Sequence, residues 1–233
     1  MSPLEAETTT SLAAGLLLIV PLGATEQHGP HLPLGTDTVI ALALSAALAD
    51  RLGPALAALA PALPYGASGE HQGFDGTLSI GTEALTAVLV ELARSATPPG
   101  GGPFAAVLFV SGHGGNADAL RRGVAALRAE GRSVSGWFPR LQGADAHAGR
   151  TETSLMLHLR PELVRLDRAE PGIVEPLADL LPRLRVVGMR GVSPNGVLGD
   201  PTGASAGEGK RIFDALVDDL TAAARAFRAA QPM

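Results

Sequence analysis

The chain is predicted to adopt an α/β fold with a largely parallel central sheet. Two observations carry this reading. Short, continuously apolar runs alternate with helix-like stretches along the chain, which is the pattern of βα units. Clusters of Gly, His and carboxylate residues follow those apolar runs directly, where the loops of parallel sheets carry their ligand sites.

The first strand is expected at 16–20, Leu-Leu-Leu-Ile-Val. A run without polar alternation reads as a strand buried on both faces. The following loop, 21–35, is dense in Gly, Pro and polar residues. A helix is expected from Thr36 or Asp37, both good N-cap residues, to Leu52, where Gly53 and Pro54 stop it. A second strand fits 56–63, 65–77 reads as a Gly-rich loop, and 82–94 has helical character. The clearest strand is 104–110, followed by Ser111-Gly112-His113-Gly114-Gly115-Asn116 and a helix over 117–130. A strand at 133–138, a helix at 151–159 and a long amphipathic helix at 206–228 complete the pattern. Residues 171–205 show little periodicity and read as an irregular surface excursion. No internal repeat is visible, and 233 residues suit a single domain over 1–233 that buries its own core.

Composition narrows the function. The chain has no cysteine, so a metal would be held by nitrogen and oxygen ligands alone. Its 18 basic and 23 acidic residues give a net charge of -5 with no basic run, which argues against nucleic acid as a partner. The first charges are Glu5 and Glu7, where a secretory signal would carry Lys or Arg. The apolar run 12–20 is too short to span a bilayer. A cytoplasmic protein without a membrane partner is the expectation.

Three polar clusters carry candidate chemistry. In the first, Glu26 and His28 lie two apart, so extended backbone points both to one side, and Asp37 follows at the start of the next helix. Two carboxylates and an imidazole suit a divalent metal, although a polar loop with an N-capping Asp would look the same. The second cluster is His113, set among glycines past the strongest strand, where the backbone can approach a ligand closely. The third is Asp145-Ala146-His147-Ala148-Gly149-Arg150-Thr151-Glu152, with His147 in a loop and Glu152 near a helix start, where it would also complement the helix dipole. Five of the six histidines, at 28, 31, 71, 113 and 147, fall in Gly-rich loops. That concentration favours a site over five separate structural roles. His158, within a helix, reads as an ordinary surface histidine.

Together these segments resemble the creatininase family. The resemblance rests on the run from Pro21 through Glu26-Gln27-His28-Gly29-Pro30-His31 to Pro33, on Asp37, on Gly112-His113-Gly114-Gly115-Asn116, and on His147-Ala148-Gly149 with Glu152-Thr153-Ser154. Tyr65-Gly66-Ala67-Ser68-Gly69-Glu70-His71-Gln72, the stretch 76–85 and the late Ser193-Pro194-Asn195-Gly196 extend it toward a peptide-trimming subgroup. One departure is Asp75, where that subgroup usually carries proline.

The resemblance implies a three-layer α/β/α fold and a hydrolase with two divalent ions per subunit, of Zn, Fe(II) or Mn. It implies that Glu26, Asp37 and His113 hold one ion and that His28 and Asp37 hold the other, with Asp37 bridging. Creatininase proper carries a Glu two residues past the third-strand His, where this chain has Gly115. Glu152 is the candidate for the missing ligand, or else a base. His147 is the expected proton donor or oxyanion stabiliser. The implied substrate is a small precursor peptide losing a C-terminal Val-Tyr dipeptide, and a symmetric homo-oligomer is implied as well. Glu70 and His71 would line the substrate path or a subunit contact. Trp137 would stack on an aromatic side chain or pack in the core.

Overall fold

The computed structural model describes residues 3–230. Among them, four strands form one parallel sheet in the order β2-β1-β3-β4. They are β1 Leu16–Leu22, β2 Ala57–Leu59, β3 Phe104–Ser111 and β4 Val134–Trp137. Six α-helices connect or flank them: α1 Thr36–Leu52, α2 Gly81–Ala96, α3 Ala117–Ala129, α4 Arg150–Leu159, α5 Leu177–Val192 and α6 Ala206–Ala229.

The uninterrupted apolar character of β1 follows from burial on both faces. Leu17 and Ile19 pack with Leu44 and Leu48 of α1, Leu155 and Met156 of α4, and Leu216 and Leu220 of α6. Leu16, Leu18 and Val20 point the other way, against Leu85 and Leu89 of α2 and Leu120 and Leu127 of α3. Successive strand side chains alternate between faces, so a strand between two helical layers has no position left for a polar residue. The result is the expected three-layer α/β/α arrangement.

Register decides what the sheet presents. β1 and β3 are central neighbours, paired from Leu17↔Ala106 to Leu22↔Ser111. Their C-terminal ends are therefore level, and the loop after β1 emerges beside the turn after β3. A side chain at Gly112 would collide with the backbone of Asp37, so a glycine is needed where β3 ends against the start of α1.

Three expectations need correction. The segment 171–205 is not wholly irregular, because it contains α5. Its period was masked by Pro182 inside the helix and by a kink at Gly188, whose φ is 68°. The second strand is shorter than 56–63, covering only Ala57–Leu59. Asp37 does not cap α1: Gly35 occupies the cap position without a side-chain bond, and the Asp37 carboxylate turns inward. No helix of the described residues is long and apolar enough to cross a membrane.

Candidate metal centre

The loop after β1 folds back on itself, with Glu26 N–H donating to the Leu34 carbonyl at 3.0 Å. This brings Glu26 and His28 under the first turn of α1. Asp37 lies between two imidazoles: its Oδ1 is 3.2 Å from His28 Nε2 and its Oδ2 is 3.4 Å from His113 Nδ1. Glu26 Oε2 is 3.1 Å from His113 Nε2, and Glu26 Oε1 is 3.3 Å from His71 Nε2. Glu152 enters from α4, with Oε2 3.9 Å from His28 Nε2 and accepting the Ala148 N–H at 2.6 Å. His147 Nδ1 stands 3.9 Å from Glu26 Oε1. All five residues expected as ligands, together with His147, thus converge on one place.

The packing suits a bound cation. Glu26, His28, Asp37 and His113 are buried. Both oxygens of Glu26 and Oδ2 of Asp37 receive no hydrogen bond of proper geometry, despite imidazole nitrogens within 3.1–3.4 Å. Buried anionic oxygens without donors are costly. Nitrogens and oxygens that crowd together without bonding each other are directed at a shared space instead. Three triads have ligand atoms within 4.8 Å of one another: Glu26, His28 and Asp37; Glu26, His71 and His147; and His28, His147 and Glu152. The donor set therefore fits divalent ions of the zinc, manganese or iron(II) kind.

Gln27, which the sequence reading passed over, organises two of the imidazoles. Its amide N–H groups donate to His71 Nδ1 at 2.9 Å and to the Gly196 carbonyl at 3.0 Å, while its Oε1 accepts the Gly29 N–H. His71 consequently presents Nε2 to Glu26. The Gln27 backbone carbonyl lies 2.9 Å from His147 Nε2, which donates to it and leaves Nδ1 facing the site. His28 donates Nδ1–H to the Glu26 carbonyl at 3.1 Å and offers Nε2 inward. The only sequence signal for Gln27 was its position inside the Glu-Gln-His run.

Environment divides the histidines into two kinds. Burial opposes charge on His28, yet Asp37, Glu152 and Glu26 hold it as an imidazolium up to about 10. Burial likewise opposes charge on His113, and Glu26, Asp37 and Glu70 raise it to about 10. Burial pushes His147 well below its ordinary range, with His28 and His71 adding to the effect. Burial brings His71 and His31 down to about 4. Among the carboxylates, burial raises Glu152 to about 7, against the pull of His28. Burial would raise Glu26 too, but His113, His71 and His28 drive it well below the usual range.

The remaining candidates separate. A cavity of about 570 Å³ reaches the centre and is lined by Glu70, His71, His113 and His147 among others. His71 is buried against Glu26, so it belongs to the centre as much as to the cavity wall. Glu70 Oε1 is 3.7 Å from His113 Nε2 and 2.5 Å from where a Cβ on Gly115 would stand. A carboxylate from the 3-10 turn Gly69–His71 thus occupies the space that a side chain at 115 would need. Trp137 is not at the cavity: it is buried in the core, and its Nε1–H donates to Asp219 Oδ2 at 2.8 Å. Stacking on a substrate ring is therefore ruled out for Trp137 in this geometry, because β4 aims the indole at α6. His31 bonds Thr153 Oγ1 at 2.8 Å, and His158 packs beside Phe213.

A family profile described as creatininase, creatinine amidohydrolase, matches residues 3–224. The chain belongs to the creatininase family. It is a hydrolase, and the family match spans the centre and both helical layers. A mycofactocin precursor peptide peptidase from Mycobacterium ulcerans is 54% identical over 209 residues, covering 87% of this chain and 82% of that protein. One from Mycolicibacterium smegmatis is 51% identical over 206 residues, with 87% and 81% covered. A creatinine amidohydrolase from Pseudomonas putida is 30% identical, with 94% and 93% covered. Among solved creatininases, one described as a manganese form has a TM-score of 0.74 at 28% identity, each chain 90% covered. A creatinine amidohydrolase homologue from Bacteroides fragilis reaches a TM-score of 0.80 at 24% identity, with 99% of this chain and 98% of that chain covered, which supports the fold.

The raised histidines make metal capture a proton exchange. His28 and His113 must each lose a proton to ligate. Loading of the metal-free protein near pH 7 is expected to release about two protons per subunit, and affinity is expected to rise with pH. Titration calorimetry in buffers of different ionisation enthalpy measures both, and pH-independent affinity would contradict the assignment. The same shifts stabilise the metal-free fold fully below 6.5, the ordinary histidine value, and the contribution is lost as pH rises through about 10. Its Tm is expected to fall over that window.

Proposed function

We propose that this hydrolase is a metal-dependent peptidase that removes a C-terminal Val-Tyr dipeptide from the modified mycofactocin precursor peptide. The observation that carries the reading is identity above one half, over most of the chain, to relatives named for that activity. The sequence-level resemblance at 65–72 and 193–202 supports it.

In this reading Glu26, Asp37 and His113 would hold one ion, and His28, Asp37 and Glu152 would hold a second. Asp37 would be shared between them, since its Oδ1 faces His28 and its Oδ2 faces His113. Zinc, iron(II) or manganese so bound supplies a Lewis acid for the scissile carbonyl and lowers the pKa of a water toward neutrality. His147 works beside the ligands. Neutral at pH 7, with Nε2–H held by the Gln27 carbonyl, it accepts a proton from the attacking water at Nδ1. It then returns that proton to the departing amine nitrogen as the C–N bond breaks and the new C–O bond is retained. Glu70 and His71 form the inner wall along which the peptide enters.

His147→Ala is expected to retain full metal content and to lose roughly 10²- to 10⁴-fold in kcat. Glu152→Gln is expected to lose part of its metal. Elemental analysis together with single-substrate kinetics separates the two roles, and metal loss in the His147 variant would remove it from proton transfer.

Mass spectrometry of the metal-loaded protein incubated with the precursor peptide is expected to show loss of a single dipeptide. Creatinine is the control, because one relative of 30% identity is named for it. Creatinine turnover without peptide cleavage would replace the peptidase reading with that of a small cyclic amide hydrolase. A symmetric homo-oligomer, as the resemblance to the creatininase family implies, completes the proposal. A monomer by light scattering would remove it.

A further inference from the structure

The cavity that reaches the centre is chemically divided. Its inner end is acidic and imidazole-rich, with Glu70, His71, His113 and His147. Its outer part is walled by Leu177, Leu181, Leu184, Arg185 and Met189 of α5, facing Arg121 and Asp118 of α3. Leu177 and Leu181 are 43% and 38% exposed, so this apolar wall is open to a ligand.

The two arginines differ. Arg121 Nη1 lies 2.8 Å from Asp118 Oδ1, and Arg122 pairs with the same carboxylate at 2.7 Å. None of the hydrogen bonds and ion pairs among the described residues engages Arg185. An unpaired guanidinium beside a row of leucines, in the same cavity that reaches the centre, selects a ligand with a polarity. Its carboxylate is drawn to Arg185, the guanidinium without an internal partner. Its apolar side chains lie on Leu177, Leu181 and Leu184. Such a ligand is the C-terminal end of a peptide.

α5 is held in place to form this wall. Arg190 Nη1 donates to the Gly73 carbonyl at 2.5 Å and lies over the Phe74 ring, while Leu180, Met189 and Val192 pack with Leu198. The kink at Gly188 turns the helix beside the 3-10 turn that carries Glu70 and His71.

We propose that the outer cavity is the subsite for the departing C-terminal fragment, with Arg185 binding its free carboxylate and α5 its apolar side chains. This rests on the peptidase reading for the identity of the ligand. It makes the enzyme's choice of a terminal bond a matter of charge recognition: an internal amide has no carboxylate to offer Arg185.

The test compares the precursor peptide as free acid and as C-terminal amide. With the metal-loaded wild-type protein the amide is expected to lose roughly ten- to a hundredfold in kcat/KM, mostly through KM. Arg185→Ala is expected to lose a similar factor on the acid and to treat both peptides alike, with metal content unchanged. Arg185→Lys is expected to recover part of the preference. Equal cleavage of acid and amide by wild type, or a preference that survives in Arg185→Ala, would overturn the subsite while leaving the peptidase reading standing. Binding of the dipeptide Val-Tyr and of its amide, followed calorimetrically, gives a readout without turnover. Acid-selective, Arg185-dependent binding with no peptide cleavage would keep the subsite and overturn the peptidase reading. Failure of the dipeptide to bind selectively would overturn the subsite.

Discussion

The structure is arranged around anionic oxygens buried without donors. Glu26 offers both carboxylate oxygens, and Asp37 its Oδ2, to the space they share with the surrounding imidazoles. Such groups cannot be left uncompensated. Imidazolium neighbours compensate them in the metal-free protein, and divalent cations would do so more completely. The level ends of β1 and β3, the glycine at 112 and the inward turn of Asp37 all serve this one convergence. The N-terminal turn of α1 adds a favourable field for the carboxylate it carries.

The same side-chain type takes opposite charge states a few ångströms apart. His28 and His147 have ring centroids 4.3 Å from each other, yet one is held cationic and the other neutral. The difference lies in partners: His28 faces Asp37 and Glu152, while His147 faces a backbone carbonyl and two other imidazoles. One histidine is thereby suited to ligation and the other to carrying a proton. Gln27 sits between these groups, and its exhausted amide leaves His71 with a single available nitrogen.

Access is governed by a different layer of the fold. The residues of the centre come from the sheet-end loops, from α1 and from α4, whereas α3, α5 and the 3-10 turn at Glu70 line the cavity that reaches it. At Gly115, the Glu70 carboxylate from another segment fills the space that a side chain there would need.

Much of this was legible in one dimension. Doubly buried strands announce themselves as unbroken apolar runs, and the loops after them, with the first turns of α1 and α4, carried the residues that converge at the centre. Glu26, His28, Asp37, His113, His147 and Glu152 could be named because metal ligation and proton transfer demand particular side-chain types. α5 was not legible, because an internal proline and Gly188 break the period that identifies a helix. The place of Trp137 was not legible either, since the facing of a strand-end side chain depends on which helix covers it. The role of Gln27 depends on residues 44 and 120 positions away. Sequence alone determined the chemical groups and the layer order, through residue type and periodicity. Tertiary structure alone decided which nitrogen faces inward, which histidine keeps its proton and which arginine stands unpaired, because those depend on distances between segments that no local pattern encodes.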